Sequence, residues 1–242
     1  MNTQVEELNH LIKISKHIVF FGGAGVSTES GLKDFRSKGG LYNLRSKYGR
    51  PYEEMLSHHY FWEDTKTFYE FYKEFMIVKG VKPNPAHKYL AELEKKKDLR
   101  IITQNIDGLH QLAGSKNVLE LHGSIHRNYC TKCHKFFNLE YIENSKGVPT
   151  CDSCGGIIKP DVVLYEEGLD NDVLEASLDA LNKADLLIIA GTSLRVYPAS
   201  GLINYYRGNK IVVINKEKLD IRYKDILEIN SPVGEVFSQL DI

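Results

Sequence analysis

Four short apolar runs recur along the chain, and each stops abruptly at small or polar residues. His17–Phe21 breaks into Gly22-Gly23-Ala24-Gly25, and Leu99–Ile102 runs into Thr103-Gln104-Asn105-Ile106-Asp107. Leu186–Ala190 ends in Gly191-Thr192-Ser193, and Ile211–Ile214 in Asn215-Lys216-Glu217. Strands that are apolar on both faces suit a parallel sheet covered by helices on each side. Val118–Leu121 and Asp161–Tyr165 are weaker strand candidates. Apolar residues fall at helical spacing in Asn2–Lys16, Ala86–Lys96, Val173–Asn182 and Val233–Leu240. The alternation predicts an α/β fold. In an open sheet of that kind ligands bind beyond the carboxyl ends of the strands, so the four polar tips should converge on one crevice.

Residues 40–80 break the alternation with Tyr42, Tyr48, Tyr52, Tyr60, Phe61, Trp62, Phe68, Tyr69, Phe71, Tyr72 and Phe75. Phe61–Val78 reads as an amphipathic helix, and the rings read as the core of a helical insert rather than a platform for stacking bases.

The chain has four cysteines, Cys130, Cys133, Cys151 and Cys154, as two Cys-x-x-Cys pairs separated by 17 residues. Each tight turn can aim two sulfurs at one metal, and two turns complete a tetrahedral zinc site with no open position. Such a site braces structure, so the chemistry is sought elsewhere. Two disulfides are the competing reading, disfavoured in a reducing compartment.

Charge is nearly balanced, 31 basic residues against 32 acidic, and 42% of the 242 residues are hydrophobic. That supports a sizeable core and gives no support to a membrane or nucleic-acid surface. Met1 to Lys16 holds no signal-like apolar run, and no stretch approaches the roughly 18 apolar residues of a membrane span. A cytoplasmic protein is expected.

Gly22 to Gly31 follows a strand and could open a helix, where backbone amides favour a pyrophosphate. Gly23 and Gly25 fit the dinucleotide fingerprint, whereas Thr28 stands in place of its third glycine. Asp34-Phe35-Arg36 follows, with Arg36 a candidate phosphate clamp or loop anchor and Phe35 a candidate shield over a cofactor. Gln104, Asn105 and Asp107 suit ribose hydroxyls and a carboxamide. His122, at the end of the next short strand, is a candidate general base, since imidazole titrates near neutrality.

Taken in order, Gly23–Ser27, Asp34–Arg36, Thr103–Asp107, His122-Gly123, the cysteine pairs, Gly191–Ser193 and Val213–Asn215 resemble the sirtuins of the bacterial type. These are NAD-dependent protein lysine deacylases. The resemblance spans about residues 10 to 240. It implies a Rossmann-like doubly wound parallel sheet, a smaller zinc-binding domain, a helical insert, and NAD across the cleft between the domains. The implied division is 1–37, 84–122 and 160–242 for the large domain, and 38–83 with 123–159 for the small one. Gly23, Ala24, Gly25, Thr28, Asp34 and Arg36 are similar to cofactor-loop residues. Gln104 and His122 resemble partners of the nicotinamide ribose. Ile106 and Asp107 resemble the carboxamide site, with Phe35 closing over it. Thr192, Ser193, Asn215 and Val233 resemble adenosine-side contacts.

The implied reaction removes an acetyl group from lysine and yields nicotinamide and O-acetyl-ADP-ribose. His122 would be the general base, and Asn105 would order a water and its loop. Acetylated peptides would add as a strand between Val162–Glu166 and Ser193–Tyr197, with Val163 and Tyr165 lining the acyl-lysine channel. Three departures stand out. Lys33 replaces a usual proline, and Tyr165-Glu166-Glu167 replaces a usual Phe-Gly-Glu. Tyr69 is followed three residues on by Tyr72 rather than the arginine of members that prefer anionic acyl groups, so acetyl should be preferred to succinyl. Two alternatives remain open: an ADP-ribosyltransferase on the same scaffold, and a non-enzymatic zinc-ribbon binding module.

Overall fold

In the computed structural model, the described residues are 3–34, 48–219, 221, 223 and 225–241. The first helix, α1 (Thr3–Ile14), buries Val5, Leu8 and Ile12 along one stripe and leads into β1 (His17–Gly22). Three short helices follow: α2 (Tyr52–Met55), α3 (His58–Glu63) and α4 (Thr65–Phe75). The expected single helix Phe61–Val78 is therefore divided. Asp64 leaves helical geometry, and its carboxylate accepts from the Thr67 amide at 3.1 Å, capping the second piece.

Helix α5 (Pro85–Glu94) starts at a reciprocal capping box of Asn84 and His87, with Pro85 in its first turn. Then come β2 (Asp98–Thr103), α6 (Leu109–Ala113), β3 (Val118–Glu120), β4 (Gly123–Cys130), β5 (Phe136–Phe137), α7 (Leu139–Asn144) and β6 (Ile158–Val162). The chain finishes with α8 (Asn171–Lys183), β7 (Leu186–Ala190), β8 (Ile211–Ile214), β9 (Ile226–Ile229) and α9 (Val233–Phe237). Among the described residues no helix is long and apolar enough to cross a membrane.

Six strands form one parallel sheet in the order β3-β2-β1-β7-β8-β9. The order reverses at β1, which is the topological switch of a doubly wound fold. The expected Rossmann-like sheet is present, and both faces are covered. Phe20, Ile101, Ile188 and Val212 pack towards α1, α5 and α9. Val19, Phe21, Ile102, Ile189 and Val213 pack towards α8 and the 3-10 turn Ala199–Tyr205.

A second, antiparallel sheet has the order β5-β4-β6. Strand β6 takes the place of the expected Asp161–Tyr165 strand. It begins three residues earlier, contains Pro160, and lies at the edge of this small sheet rather than in the parallel one. A proline without an amide hydrogen is tolerated at such an edge. Phe61, Phe68, Tyr69, Phe71 and Tyr72 are buried together with Ile125, Cys130, Ile142 and Ile158. The aromatic insert and the cysteine segment thus share one core, as expected of packing rings.

Candidate active site

The strand tips meet as the apolar pattern predicts. Gln104, just past β2, donates its amide to Gly22 O at 3.0 Å, and its side-chain Nε2 donates to Thr192 Oγ1 at 3.0 Å beyond β7. The Gly191 amide donates to Ile214 O at 3.0 Å, which adds the tip of β8 and places Asn215 beside it. Asn215 turns its own Nδ2 to Glu217 O at 2.8 Å. Four strand spacings separate β3 from β8, about 19 Å across the sheet, the scale of an extended ligand.

The glycine loop is shaped by its neighbour. Gly25 N donates to Gly191 O at 2.7 Å, and a Cβ on Gly25 would come within 2.7 Å of Gly191 Cα. Gly191 has φ +57, and a Cβ there would reach 2.4 Å from Val26 N. The glycines therefore allow two strand-tip backbones to touch. This is a tighter structural demand than room for a phosphate, which is what the sequence pattern suggested. Thr28 turns its hydroxyl back to Gly25 O at 3.0 Å. Asn84 Nδ2 donates to Val26 O at 2.7 Å, pinning the loop to the start of α5. The Glu29 carboxylate accepts from Gly234 N at 2.5 Å, which ties Val233 and α9 to the same loop. Asp34 closes the described part of the loop, while Tyr42, Phe35 and Arg36 lie outside the described residues.

Ser27 is the residue that sequence reasoning left out of the site. It is 1% exposed and joins two loops: its hydroxyl donates to Asp107 Oδ2 at 2.7 Å and accepts from Asn105 Nδ2 at 3.1 Å. A serine directly after a glycine turn was the available signal, but its partner lies 80 residues away. Asp107 also accepts from Leu109 N at 2.9 Å through Oδ1. Burial pushes the Asp107 carboxyl above the ordinary range, partly offset by the bonds from Leu109 and Ser27.

His122 sits where β3 leaves the parallel sheet for β4. Its Nδ1 lies 2.9 Å from Gln104 O. A carbonyl only accepts, so Nδ1 carries the hydrogen and neutral Nε2 is left with a lone pair. Burial lowers the affinity of this imidazole for a proton, partly opposed by the Gln104 bond. The His122 carbonyl accepts from Val163 N at 3.0 Å, so Val163 flanks the histidine. Tyr165 is half-exposed and pairs with Ser57, its amide donating to Leu56 O at 2.9 Å.

The unusual Tyr165-Glu166-Glu167 turn keeps its bend without glycine. Glu166 has φ +76, and its carboxylate accepts from His59 N at 2.9 Å. The Glu167 carboxylate accepts from Leu164 N at 2.9 Å and Lys159 Nζ at 3.0 Å. Side-chain bonds hold a left-handed residue where glycine would adopt the angle freely.

The four cysteine sulfurs lie within 4.8 Å of one another. Cys130 and Cys154 are 3.4 Å apart, and Cys133 and Cys151 are 3.6 Å apart. Sulfurs each about 2.3 Å from a central zinc would stand at similar separations. Amides of Lys132 and Cys133 point at Cys130 Sγ at 3.4 and 3.5 Å, and Ser153 N points at Cys151 Sγ at 3.4 Å. Such donors favour thiolate, so the site fits Zn²⁺.

A doubly wound sheet with polar strand tips, a histidine at the crossing to a second sheet and a four-cysteine site define a nucleotide-binding enzyme of compound build. The pattern of the Sir2 family matches residues 23–198. The chain is 55% identical over 235 residues to an NAD-dependent protein deacetylase of Clostridium acetobutylicum, covering 96% of each. It is 57% identical over 233 residues to one of Clostridium tetani, covering 96% of this chain and 94% of that protein. Among solved structures, a Sir2–p53 peptide–NAD+ complex superposes with TM-score 0.84 at 36% identity, covering 97% of this chain and 96% of that one. Sir2 bound to acetylated peptide superposes at 0.83 with 35% identity and the same coverage. This chain belongs to the Sir2 family.

Proposed function

We propose that the chain is an NAD-dependent protein lysine deacetylase releasing nicotinamide, O-acetyl-ADP-ribose and unmodified lysine. The single observation that supports it most is the His122 imidazole, fixed by the Gln104 carbonyl with Nε2 free to accept a proton, beside the Ser27–Asn105–Asp107 cluster. Bound NAD supplies the ribose carbon that the acetyl oxygen attacks as nicotinamide departs. His122 Nε2 accepts the proton of a ribose hydroxyl, a role worth about 10²–10⁴ in rate for a positioned base. Asp107, held by Ser27, accepts from the nicotinamide carboxamide, and Ile106 lends its backbone there. Asn105 holds Ser27 in place and orders the loop.

Gly23, Ala24, Gly25, Thr28 and Asp34, with Phe35 and Arg36 beyond, form the cofactor loop in this reading. Thr192, Ser193, Asn215 and Val233 serve the adenosine side, and Val163 and Tyr165 flank the acyl-lysine. Zn²⁺ on Cys130, Cys133, Cys151 and Cys154 supplies a closed crosslink of the small sheet. Its four ligands leave no position for substrate. The small unit comprises 38–83 and 123–159, extended to Val162 because β6 pairs with β4; the remainder forms the large unit. A cytoplasmic setting agrees with the free thiols such a site needs.

The test is incubation with an acetylated peptide, with and without NAD. One nicotinamide per acetyl lost is expected. Nicotinamide release with a gain of ADP-ribose mass on the target, and the acetyl retained, would replace this reading with ADP-ribosyl transfer.

A further inference from the structure

The small sheet reaches the loop after β2 through one irregularity. Strands β4 and β6 pair on either side of a register break between Ser124 and Asn128. A bulge of this kind re-aims the side chains within it. Inside the break the His126 amide donates to the Ser124 hydroxyl at 3.2 Å rather than to a neighbouring strand. Arg127 anchors the far side, donating through Nη1 to Glu120 Oε2 at 2.6 Å and through Nε to Asp161 Oδ2 at 2.7 Å. Held in this way, the bulge turns Ile125 and His126 towards the loops of the parallel sheet.

Two consecutive loop carbonyls end on these two residues. Ile125 N donates to Ile106 O at 3.0 Å, a main-chain bond that survives a change of side chain. His126 Nε2 lies 3.0 Å from Asp107 O. A carbonyl only accepts, so Nε2 carries the hydrogen, and this second bond depends wholly on the side chain. Gly108 makes room for the ring: its φ is +70, and a Cβ there would fall 2.6 Å from the imidazole. The outer side of the ring is exposed, so a substitution at 126 disturbs neither core.

The Asp107 carbonyl belongs to the peptide unit inside an Asx turn, because Oδ1 of the same residue accepts from Leu109 N at 2.9 Å. That unit is planar, so Asp107 O and Gly108 N can only rotate together. Such a rotation would carry Leu109 off the carboxylate and change where the carboxylate points. Ser27 holds the other carboxylate oxygen at 2.7 Å from the glycine loop, and His126 holds the peptide plane from the small sheet. We infer that His126 is a positioning residue for the nicotinamide end of the site: its imidazole clamps the Asp107 carbonyl and so keeps the Asp107 carboxylate turned to the nicotinamide carboxamide. The inference rests on the deacetylase reading for the role of Asp107.

The experiment compares wild type, His126→Leu and His126→Gln in the zinc-loaded full chain. Glutamine carries an N–H donor at about the reach of the imidazole Nε2, and leucine carries none. In His126→Leu the nicotinamide inhibition constant should rise, and kcat/KM for NAD should fall, by about threefold to tenfold, the worth of one hydrogen bond. KM for the acetylated peptide should stay within about twofold, and His126→Gln should recover most of the nicotinamide-side loss. Hydrogen exchange at the Leu109 amide reads the clamp without turnover: it should quicken in His126→Leu and slow again in His126→Gln. Zinc content and melting profile verify that each variant folds. Unchanged Leu109 exchange, an equal loss in both variants, or a peptide KM that moves as far as the nicotinamide constant would overturn the inference. Wild-type protein that releases no nicotinamide would instead overturn the deacetylase reading, while Leu109 exchange would still decide whether His126 holds the turn.

Discussion

His122 gives its Nδ1 hydrogen to the backbone carbonyl of Gln104 at 2.9 Å, so one loop of the parallel sheet sets the tautomer of a residue 18 positions later. The bond leaves Nε2 basic, and it survives any change of the Gln104 side chain, because the acceptor is main chain. Replacing His122 by alanine should lower kcat by about 10²–10⁴. Melting temperature and zinc content should barely change. Wild-type turnover in that variant would exclude His122 from the proton transfer.

His87 and His110 form a buried pair, ring centroids 4.7 Å apart, behind the glycine loop. Among the described residues, His87 Nε2 and both ring nitrogens of His110 have no hydrogen-bond partner. Burial pushes the His87 imidazole down from 6.5 to about 4, and burial, with the neighbouring His87, holds the His110 imidazole well below its ordinary value. Both groups are neutral when folded and protonate more readily when unfolded. Their contribution is therefore complete above about pH 6.5 and is lost as pH falls towards 4, on the order of 3 kcal/mol for His87 alone. Equilibrium unfolding against pH should show that slope, and His110→Leu should flatten it. A stability that is level from pH 7 to pH 4.5 would refute this.

Removing metal from the four cysteines should release the small sheet first. That sheet has only three strands, one of them two residues long, and sheets this small rarely stand alone. Hydrogen exchange after chelation should rise across β4 to β6 while β1, β2 and β7 stay protected, and activity should be lost because the bulge on β4 holds the site loops. Full activity in metal-free protein would show that the cysteines do not brace the site.

Acetyl-lysine peptide should be turned over faster than the matched succinyl peptide, by at least about tenfold. Tyr69 and Tyr72 are fully buried in the small core, and the Tyr69 hydroxyl donates to Ile158 O. Lys73, the cation beside them, donates to Ser145 O at 2.7 Å and to Ser145 Oγ at 2.8 Å. A buried acyl carboxylate would find no guanidinium where the anion-preferring relatives have one, and an uncompensated buried charge is costly. Equal rates on the two peptides would contradict this account.

The parallel sheet was legible from residue order because its strands are short apolar runs ended by glycine or polar groups, a local pattern. β9 escaped notice because Ile226–Ile229 contains Glu228 and follows no strong turn signal, and its place is set by pairing with β8. The division of the aromatic helix at Asp64 was written locally, in a carboxylate three residues before Thr67, but the apolar stripe ran through it. Asp161–Tyr165 looks like a strand by its own pattern, whereas the antiparallel partner that selects Ile158–Val162 is β4, whose paired residues lie 28 or more positions earlier.

By itself the amino-acid order determined which strand ends carry polar groups, that four sulfurs could share one metal, and that Asp107 and His122 each follow the end of a strand. Tertiary structure alone decided the partners: Ser27 with Asp107, His87 with His110, Gly25 against Gly191, and Arg127 between Glu120 and Asp161. The physical reason is one of range. Periodicity and turn chemistry act over a few residues, whereas a buried hydrogen bond or ion pair is chosen by whichever distant group packing brings within about 3 Å.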